Sequence, residues 1–444
     1  MVGPMGTFEK AMEIVRAGLA AVEGGRLVRE SLVRSGKYLT VRDKRFDLGR
    51  FKRIFLVAAG KAAGPMAAGF MAVCGDKVDE GIVTCRPEEN PDPDKLTAVP
   101  AAHPLPDAES VRAGREAVRL ARKAGEHDAV FFLVSGGASA NLCLPAPGVR
   151  LEDKRFVTER LLKAGADIRE LNAVRKHLSS VKGGLLAREA WPATIISLIV
   201  SDVIGNDLEV IASGPAHRDS STFGDAESVL RKFGLWEAVP APVRNRLSAG
   251  SRGEAVETLK EGDRALERIN TFVIGDIGTA LRAARGKARD LGFDALILTD
   301  SDSGEAGTAA KSYVAFLQGL FCSRDGSRIP LCFLAGGEVT VTVKGKGLGG
   351  RNTEFVLAAL AAMPRSARGW LILSLGTDGR DGPTDAAGAW ADPSLWRAAR
   401  AERIDPRTFL ADNDSYSFFK RTGRLITTGP TATNVMDLRI FILN

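Results

Sequence analysis

Four short apolar runs, each followed at once by a turn rich in glycine or charge, limit this chain to few folds. They are RIFLVAAG into KAAG with Lys61, AVFFLV into SGGASA, TIISLIV into SDVIGND, and WLILSLG into TDGRDGPTD. Runs of this kind, separated by segments with helical spacing, read as βαβ units around a mainly parallel sheet. In open α/β sheets the ligand site lies at the strand ends, where glycines let backbone N–H groups approach an anion. A fifth segment, GGEVTVTVKGKGLGGRNTEF, puts Arg351 at the start of a helical pattern. The chain reads as an enzyme that handles a small, highly charged ligand.

At 444 residues the chain is too long for one ordinary core, and two α/β domains are expected. The polar stretch 236–263, with Pro and Gly and little strand signal, is the expected junction, giving domains over 1–245 and 265–444. Residues 167–189 read as helical, EVTVTVK as a strand, and the closing LITTGPTATNVMDLRIFIL as two short strands around Asn434, completing a sheet edge. The net charge of +7 sits almost wholly in residues 1–53, which hold 12 Lys or Arg against 6 Asp or Glu. Those cations are mixed with acids and not interleaved with aromatics, so a solvated helix face is expected, with no nucleic acid and no membrane as partner. Five cysteines without a C-x-x-C pair, and four His without H-x-x-x-H spacing, support neither a disulfide framework nor a zinc site. With no signal-peptide pattern and no long apolar run, a cytoplasmic protein with reduced thiols is expected.

The motifs divide by the chemistry they allow. SGGASA suits either an anion cradle, with Ser135, Gly136, Gly137 and Ser139 supplying donors at a helix start, or a plain tight turn. Lys61 at a neighbouring strand end can neutralise phosphate or carboxylate charge, although such a lysine is commonly just solvated. A Walker phosphate loop is excluded, because the four Gly-Lys pairs are followed by Tyr, Ala, Ala and Gly. One G-x-G-x-x-G match exists at Gly345, Gly347 and Gly350. Its candidate ribose acid, Asp378, lies 28 residues beyond Gly350 where about 20 is usual. Acidic turns (Asp202, Asp207, Asp378, Asp381, Asp385) at two strand ends suit Mg²⁺ and phosphoryl transfer, which demands positioned charge more than a nucleophile. Asn172, Arg175, Lys176, Ser179 and Lys182 share one helix face, readable as a solvated face or as a carboxylate or phosphate contact surface. His103 in AAHPLPD reads as a turn or core histidine, and no Ser-His-Asp arrangement is visible.

At these residues the chain resembles the class II glycerate kinases. The likeness is carried by AAGKAAGPMA, AAHPLPD, LVSGGASA, GADIRELNAVRKHLSSVKGGLLA, SLIVSDVIGNDLEVIASGP, GGEVTVTVKGKGLGGRNTEF, LSLGTDGRDGPTDAAGA and TGPTATNVMDLRI, in order from about residue 55 to 440. The resemblance implies a Rossmann-like N-terminal glycerate kinase domain, its mainly parallel sheet sandwiched by helices, then a MOFRL-type α/β domain, with the active site in a cleft between them. It implies phosphorylation of D-glycerate by ATP with Mg²⁺, favouring the 2-hydroxyl. Lys61 and Arg351 would be catalytic, joined by Asp202 as a metal ligand or as the group that orients the attacking hydroxyl. Ser135, Gly136, Gly137, Ser139, Arg175 and Lys182 would meet the substrate. Gly278, Glu338, Gly349, Gly350, Asn352, Asp378, Asp381 and Asn434 would meet the nucleotide, Asp378 also the metal; a homodimer is compatible with this. The chain departs from the family pattern at Asn206, Asn141 and Ala216. The alternative reading, from the glycine fingerprint and from labels given to family members, is an NAD(P)H-dependent hydroxypyruvate reductase. On the charge argument, Arg351→Ala should cost turnover far more than stability.

Overall fold

The computed structural model describes residues 6–323 and 329–444. Two compact units are present, one over Gly24–Ile274 and the other over Gly275–Asn444 together with the N-terminal segment that ends at Glu23. That segment is helix α1 (Thr7–Ala21), whose Ala11, Ile14, Val15 and Gly18 are buried. The first unit then opens with α2 (Gly24–Ser31) and an antiparallel meander of β1 (Leu32–Ser35), β2 (Tyr38–Val41) and β3 (Lys44–Asp47). The meander is invisible as apolar runs because each strand has only four residues and buries one face at most, as in the alternation of β2.

Its main sheet contains β4 (Arg53–Ala59), β5 (Glu80–Val83), β6 (Leu96–Ala98), β7 (Asp128–Val134), β8 (Thr194–Val200) and β9 (Ile269–Gly275), in the order β6-β5-β4-β7-β8-β9. The pairs from β6 through β8 are parallel. Helices α3 (Ala63–Cys74), α4 (Ala108–Lys123), α5 (Ala138–Asn141), α6 (Leu151–Lys163), α7 (Ile168–His177), α8 (Leu185–Ala190), α9 (Phe223–Lys232) and α10 (Ala241–Ser251) fill the intervals. Phe55, Phe132 and Ile195 from the strands pack with Leu120 of α4 and Leu186 of α8. A second cluster joins α6, α7, α9 and α10 through Leu161, Val174, Phe223 and Leu247.

Two expectations change here. The polar stretch 236–263 lies inside the first unit, which runs to Ile274, and the described residues up to Glu23 group with the second unit. The polar stretch is pinned to the first unit by backbone bonds Leu259 N to Gly183 O (2.8 Å) and Asp219 N to Leu259 O (2.8 Å), and by Arg188 to Asp263 (2.9 Å). Nor is 167–189 one helix. Gly183 N and Gly184 N donate to Ser213 O and Gly214 O (3.0 and 2.7 Å), which takes the chain off the helical path between α7 and α8.

In the second unit follow α11 (Ile277–Asp290), β10 (Asp294–Asp302), α12 (Ala306–Ser323), β11 (Leu331–Gly337), α13 (Arg351–Ala362), β12 (Trp370–Gly376), β13 (Gly388–Ala391), α14 (Leu395–Ala401), α15 (Pro406–Ala411), α16 (Ser415–Thr422), β14 (Leu425–Ile426) and β15 (Asp437–Leu443). The sheet order is β10-β11-β15-β12-β13-β14, so the closing strand is not an edge but lies in the middle, antiparallel to both neighbours. All seven of its residues are buried, which is what a central strand requires. EVTVTVK forms no strand beyond a single bridge at Thr340. Thr340 N and Thr342 N donate to Gly304 O and Glu305 Oε1, in the turn where β10 has already ended. No helix among the described residues is long and apolar enough to cross a membrane.

Removing the buried Ile14 side chain by Ile14→Ala is expected to cost about 2–4 kcal/mol, the range for a large-to-small core change. Hydrogen exchange should then speed up in α11 and β15, the partners of α1. Unchanged exchange in both would show that α1 is not an integral part of this unit.

Candidate active site

In the first unit, the register Ala59↔Val134 and Val134↔Ile199 brings the ends of β4, β7 and β8 side by side, so their loops emerge together at one sheet edge. Gly60 has φ 116°, and a Cβ there would overlap the carbonyl and hydroxyl oxygens of Ser135, so only glycine lets the two loops meet. Lys61 N donates to Gly136 O (2.8 Å), and Ala62 N donates to the buried Ser135 hydroxyl (3.0 Å). Ser135 and Gly136 therefore brace the Lys61 turn. Lys61 is half-buried and its stem crosses Gly137: a Cβ on Gly137 would stand 3.3 Å from Lys61 Cγ and 2.9 Å from the His103 ring. Asn141, one of the departures from the family pattern, donates to Ala101 O and Ala102 O (2.9 Å each), holding the segment before His103 against this loop. Asp202, half-buried, follows the end of β8 at the same edge.

Beside this loop is a cavity of about 220 Å³ lined by Gly137, Ser139, Lys154, Arg155, Arg175 and Lys182, with His103 and its prolines on another side. Gly137, Ser139, Arg175 and Lys182 were expected near substrate, and the fold brings them together. Lys182 Nζ donates to Ser139 O (2.7 Å) and Ser139 Oγ (3.0 Å), and Ser139 Oγ lies 2.9 Å from Ser213 Oγ, which donates to Asn172. Burial, then the charge of Lys154, pushes the Lys182 ammonium well below its ordinary pKa; burial also lowers Arg175. The remaining residues of the polar stripe are internal: Lys176 pairs with buried Asp219 (3.0 Å), and Ser179 donates to Leu144 O. Lys154 is the residue that sequence reasoning missed, since one lysine in LEDKRFVTERLLK gives no sign of being buried.

The second unit gathers its expected residues at one sheet edge too. Asp437, fully buried, stands in register with Gly337 of β11 and Gly376 of β12. It accepts from Arg351 Nε (2.8 Å), Arg351 Nη2 (2.9 Å), Asn352 Nδ2 (3.0 Å) and Arg439 Nη2 (3.2 Å). Glu338 accepts from Arg351 Nη1 (2.5 Å). Burial alone would weaken the protonated Arg351, but the charge and hydrogen bonds of Asp437 outweigh it, and its pKa is raised. Arg351→Ala would strip buried Asp437 of one of its two arginine partners, so a loss of stability is expected beside the loss of turnover. Asp381 and Asn352, expected to meet the nucleotide, are bonded within the fold. Asp381 accepts from Asn352 N, Thr353 N and Thr353 Oγ1 (2.8, 2.8 and 2.7 Å), and Asn352 Oδ1 accepts from Ser374. Asp378 and Asn434, half-buried in the loops at the end of β12 and before β15, accept from Arg380 N (3.0 Å) and Met436 N (3.3 Å). Gly278 lies in the first turn of α11, where a Cβ would stand within 4 Å of Asp276, Arg282 and Asp300 side chains.

The G-x-G-x-x-G segment is not a pyrophosphate cradle. Side chains at Gly345, Gly347, Gly349 and Gly350 would strike Asp412, Asp414, Ser415 and Asp381 of the chain itself. The N–H groups of Lys344 and Gly345 go to Asn413 Oδ1, and those of Lys346 and Leu348 to Asp412 and Asp414. The donors a dinucleotide would need are already used within the fold.

Strand-end loops with a lysine, an arginine and paired acids, one set on each α/β unit, define a protein that handles phosphate or carboxylate anions. Family models match at residues 10–248, described as a domain of unknown function (DUF4147), and at 331–437, the MOFRL family. D-glycerate 2-kinase of Thermotoga maritima is 38% identical over 446 residues, covering 100% of each chain. A putative hydroxypyruvate reductase of Agrobacterium vitis is 39% identical over 397 residues, 88% of this chain and 87% of that one. The crystal structure of glycerate kinase from Thermotoga maritima superposes with a TM-score of 0.83 at 38% identity, covering 98% of this chain and 99% of that one. The chain belongs to the class II glycerate kinase family.

Burial pushes the Glu354 carboxyl up to about 7, beside Asn413 of the glycine segment. The folded chain thus holds a proton that an unfolded glutamate releases near pH 4, and stability is lost as pH rises through about 7. Glu354→Gln is expected to be near neutral at pH 4.5 and to stabilise at pH 8 by on the order of 1 kcal/mol, discounted for its partial exposure. Thermal denaturation at the two pH values checks this, and an equal effect at both would contradict it.

Proposed function

We propose that this protein is a D-glycerate 2-kinase, transferring a phosphoryl group from ATP, with Mg²⁺, to the 2-hydroxyl of D-glycerate. The reading is carried by the union of Lys61 with the Ser135–Ser139 loop at adjoining strand ends, in a chain alike from end to end to a D-glycerate 2-kinase. Mg²⁺ characteristically takes one or two carboxylates plus phosphate oxygens. Asp202 and Asp378, at strand ends and half-buried, suit that role. Asp381 does not, since the start of α13 uses both its oxygens. When bound, Mg²⁺–ATP supplies the phosphoryl group and part of the charge compensation.

The chain's own contribution is positioned charge. The Lys61 ammonium, anchored through its backbone to Gly136, offsets charge on the transferring group. Arg351, oriented by Asp437 and Glu338, presents a fixed guanidinium to phosphate oxygens. Asp202 orients the attacking hydroxyl or holds the metal. The reductase alternative loses its physical basis, because the glycine segment spends its donors on Asp412, Asn413 and Asp414.

Phosphorus-31 NMR of purified protein with D-glycerate, ATP and Mg²⁺ is expected to show the 2-phosphomonoester, while NADH absorbance with hydroxypyruvate stays constant. NADH loss without a phosphoester would overturn the kinase reading. Lys61→Met is expected to lower kcat at least 100-fold with little change in Tm, whereas Arg351→Ala should lower both. An active Lys61→Met enzyme would remove Lys61 from the mechanism.

A further inference from the structure

The cavity beside Gly137 has an electrostatic defect that the fold alone does not explain. Lys154 on α6 is 6% exposed, and its Nζ has no hydrogen-bond partner. Its neighbour in sequence, Asp153, turns instead to Arg150, accepting from its backbone N (3.0 Å) and its guanidinium. Lys182, 3% exposed, and half-buried Arg175 share the cavity, and no lining residue carries a carboxylate. A buried ammonium without an acceptor costs several kcal/mol, and a folded protein keeps one where something else supplies the acceptor. Burial, and repulsion among these cations, depress both lysines, which is the strain a bound anion would relieve.

The size and the mouth of the cavity limit which anion this is. At about 220 Å³ the cavity falls below the usual range of roughly 300–1,000 Å³ for ligand pockets, which suits a small acid. Gly137 lies on its lining, and a Cβ on Gly137 would stand 3.3 Å from Lys61 Cγ, so the cavity and the Lys61 side chain meet at the same glycine. Resting on the glycerate kinase reading, we propose that this cavity receives the carboxylate of the acceptor hydroxy acid. Lys154, with Lys182 and Arg175, is then a substrate-contacting residue that selects acids over neutral polyols. The carboxylate sits among the three cations, and the hydroxyl to be phosphorylated is turned outward to Lys61.

Lys154→Met tests this in the full chain, because it keeps the length of the side chain and removes an unpaired buried charge. Its Tm should equal or exceed that of the unaltered protein. The KM for D-glycerate should rise at least tenfold while the KM for ATP is unchanged, and the thermal shift produced by D-glycerate without nucleotide should vanish. Lys154→Arg should recover part of both. An unchanged KM for D-glycerate in Lys154→Met would overturn the assignment. So would a thermal shift by inorganic phosphate that is lost in the variant while the glycerate KM stays put, which would make the cavity a phosphate site. An unaltered protein that neither phosphorylates nor binds D-glycerate would instead overturn the kinase reading itself.

Discussion

Both six-stranded sheets depend on strand ends that approach too closely for any side chain. Gly60 at the end of β4 faces Ser135, and Gly337 at the end of β11 (φ 139°) faces the backbone of Asp302, where a Cβ would overlap it. Each glycine lets a loop fold back on the loop of the neighbouring strand, so charged residues a long way apart in the chain converge on one edge. Lys61 reaches Gly137 on this account, and Glu338 reaches Arg351 on the other sheet. A larger residue at either position would separate the loops, and the clusters of charge would come apart while the strands themselves could still pair.

The charged clusters at Arg351 and at Lys154 are built in opposite ways. In the former, Arg351 and Arg439 are compensated by Asp437, Glu338 and Asp302, with Tyr313 donating to Asp302 (2.7 Å) and Phe355 under the Arg439 guanidinium. Such a network fixes the guanidinium of Arg351 in place, because each buried ion has a partner and the geometry of the fork admits few alternatives. In the latter, Lys154, Lys182 and Arg175 share a cavity without any carboxylate in its lining. A compensated arginine is held in one orientation, whereas an uncompensated group of cations attracts an anion.

Much of this could be read along the chain. The apolar runs that became β4, β7, β8 and β12 were legible because strands buried on both faces must be continuously apolar. The turns after them were legible because close approach demands glycine, and Lys61, the Ser135–Ser139 segment and Arg351 stood out by their position relative to those strands. The fingerprint at Gly345 was misleading for the same reason: glycine marks close approach, and composition does not tell whether the approaching group is phosphate or the chain's own Asp412.

Other features needed the third dimension. Residues 236–263 look like a linker because they are polar, yet backbone bonds of Leu259 tie them to Gly183 and Asp219. Helix α1 precedes the first unit but packs into the second, since its buried face finds its partner in α11, more than two hundred residues later. Asp381 and Asn352 read as ligand contacts, and only the fold shows that they are bonded to each other and to the start of α13. Lys154 looked like any surface lysine until α6 was placed beside Lys182. The sequence by itself thus determined the strands, the tight loops between them and the kind of charge at their ends, because these follow from local periodicity and steric limits. Which charges are paired and which line a cavity was decided only by the tertiary structure, because burial and counter-charge are set by residues far away in the chain.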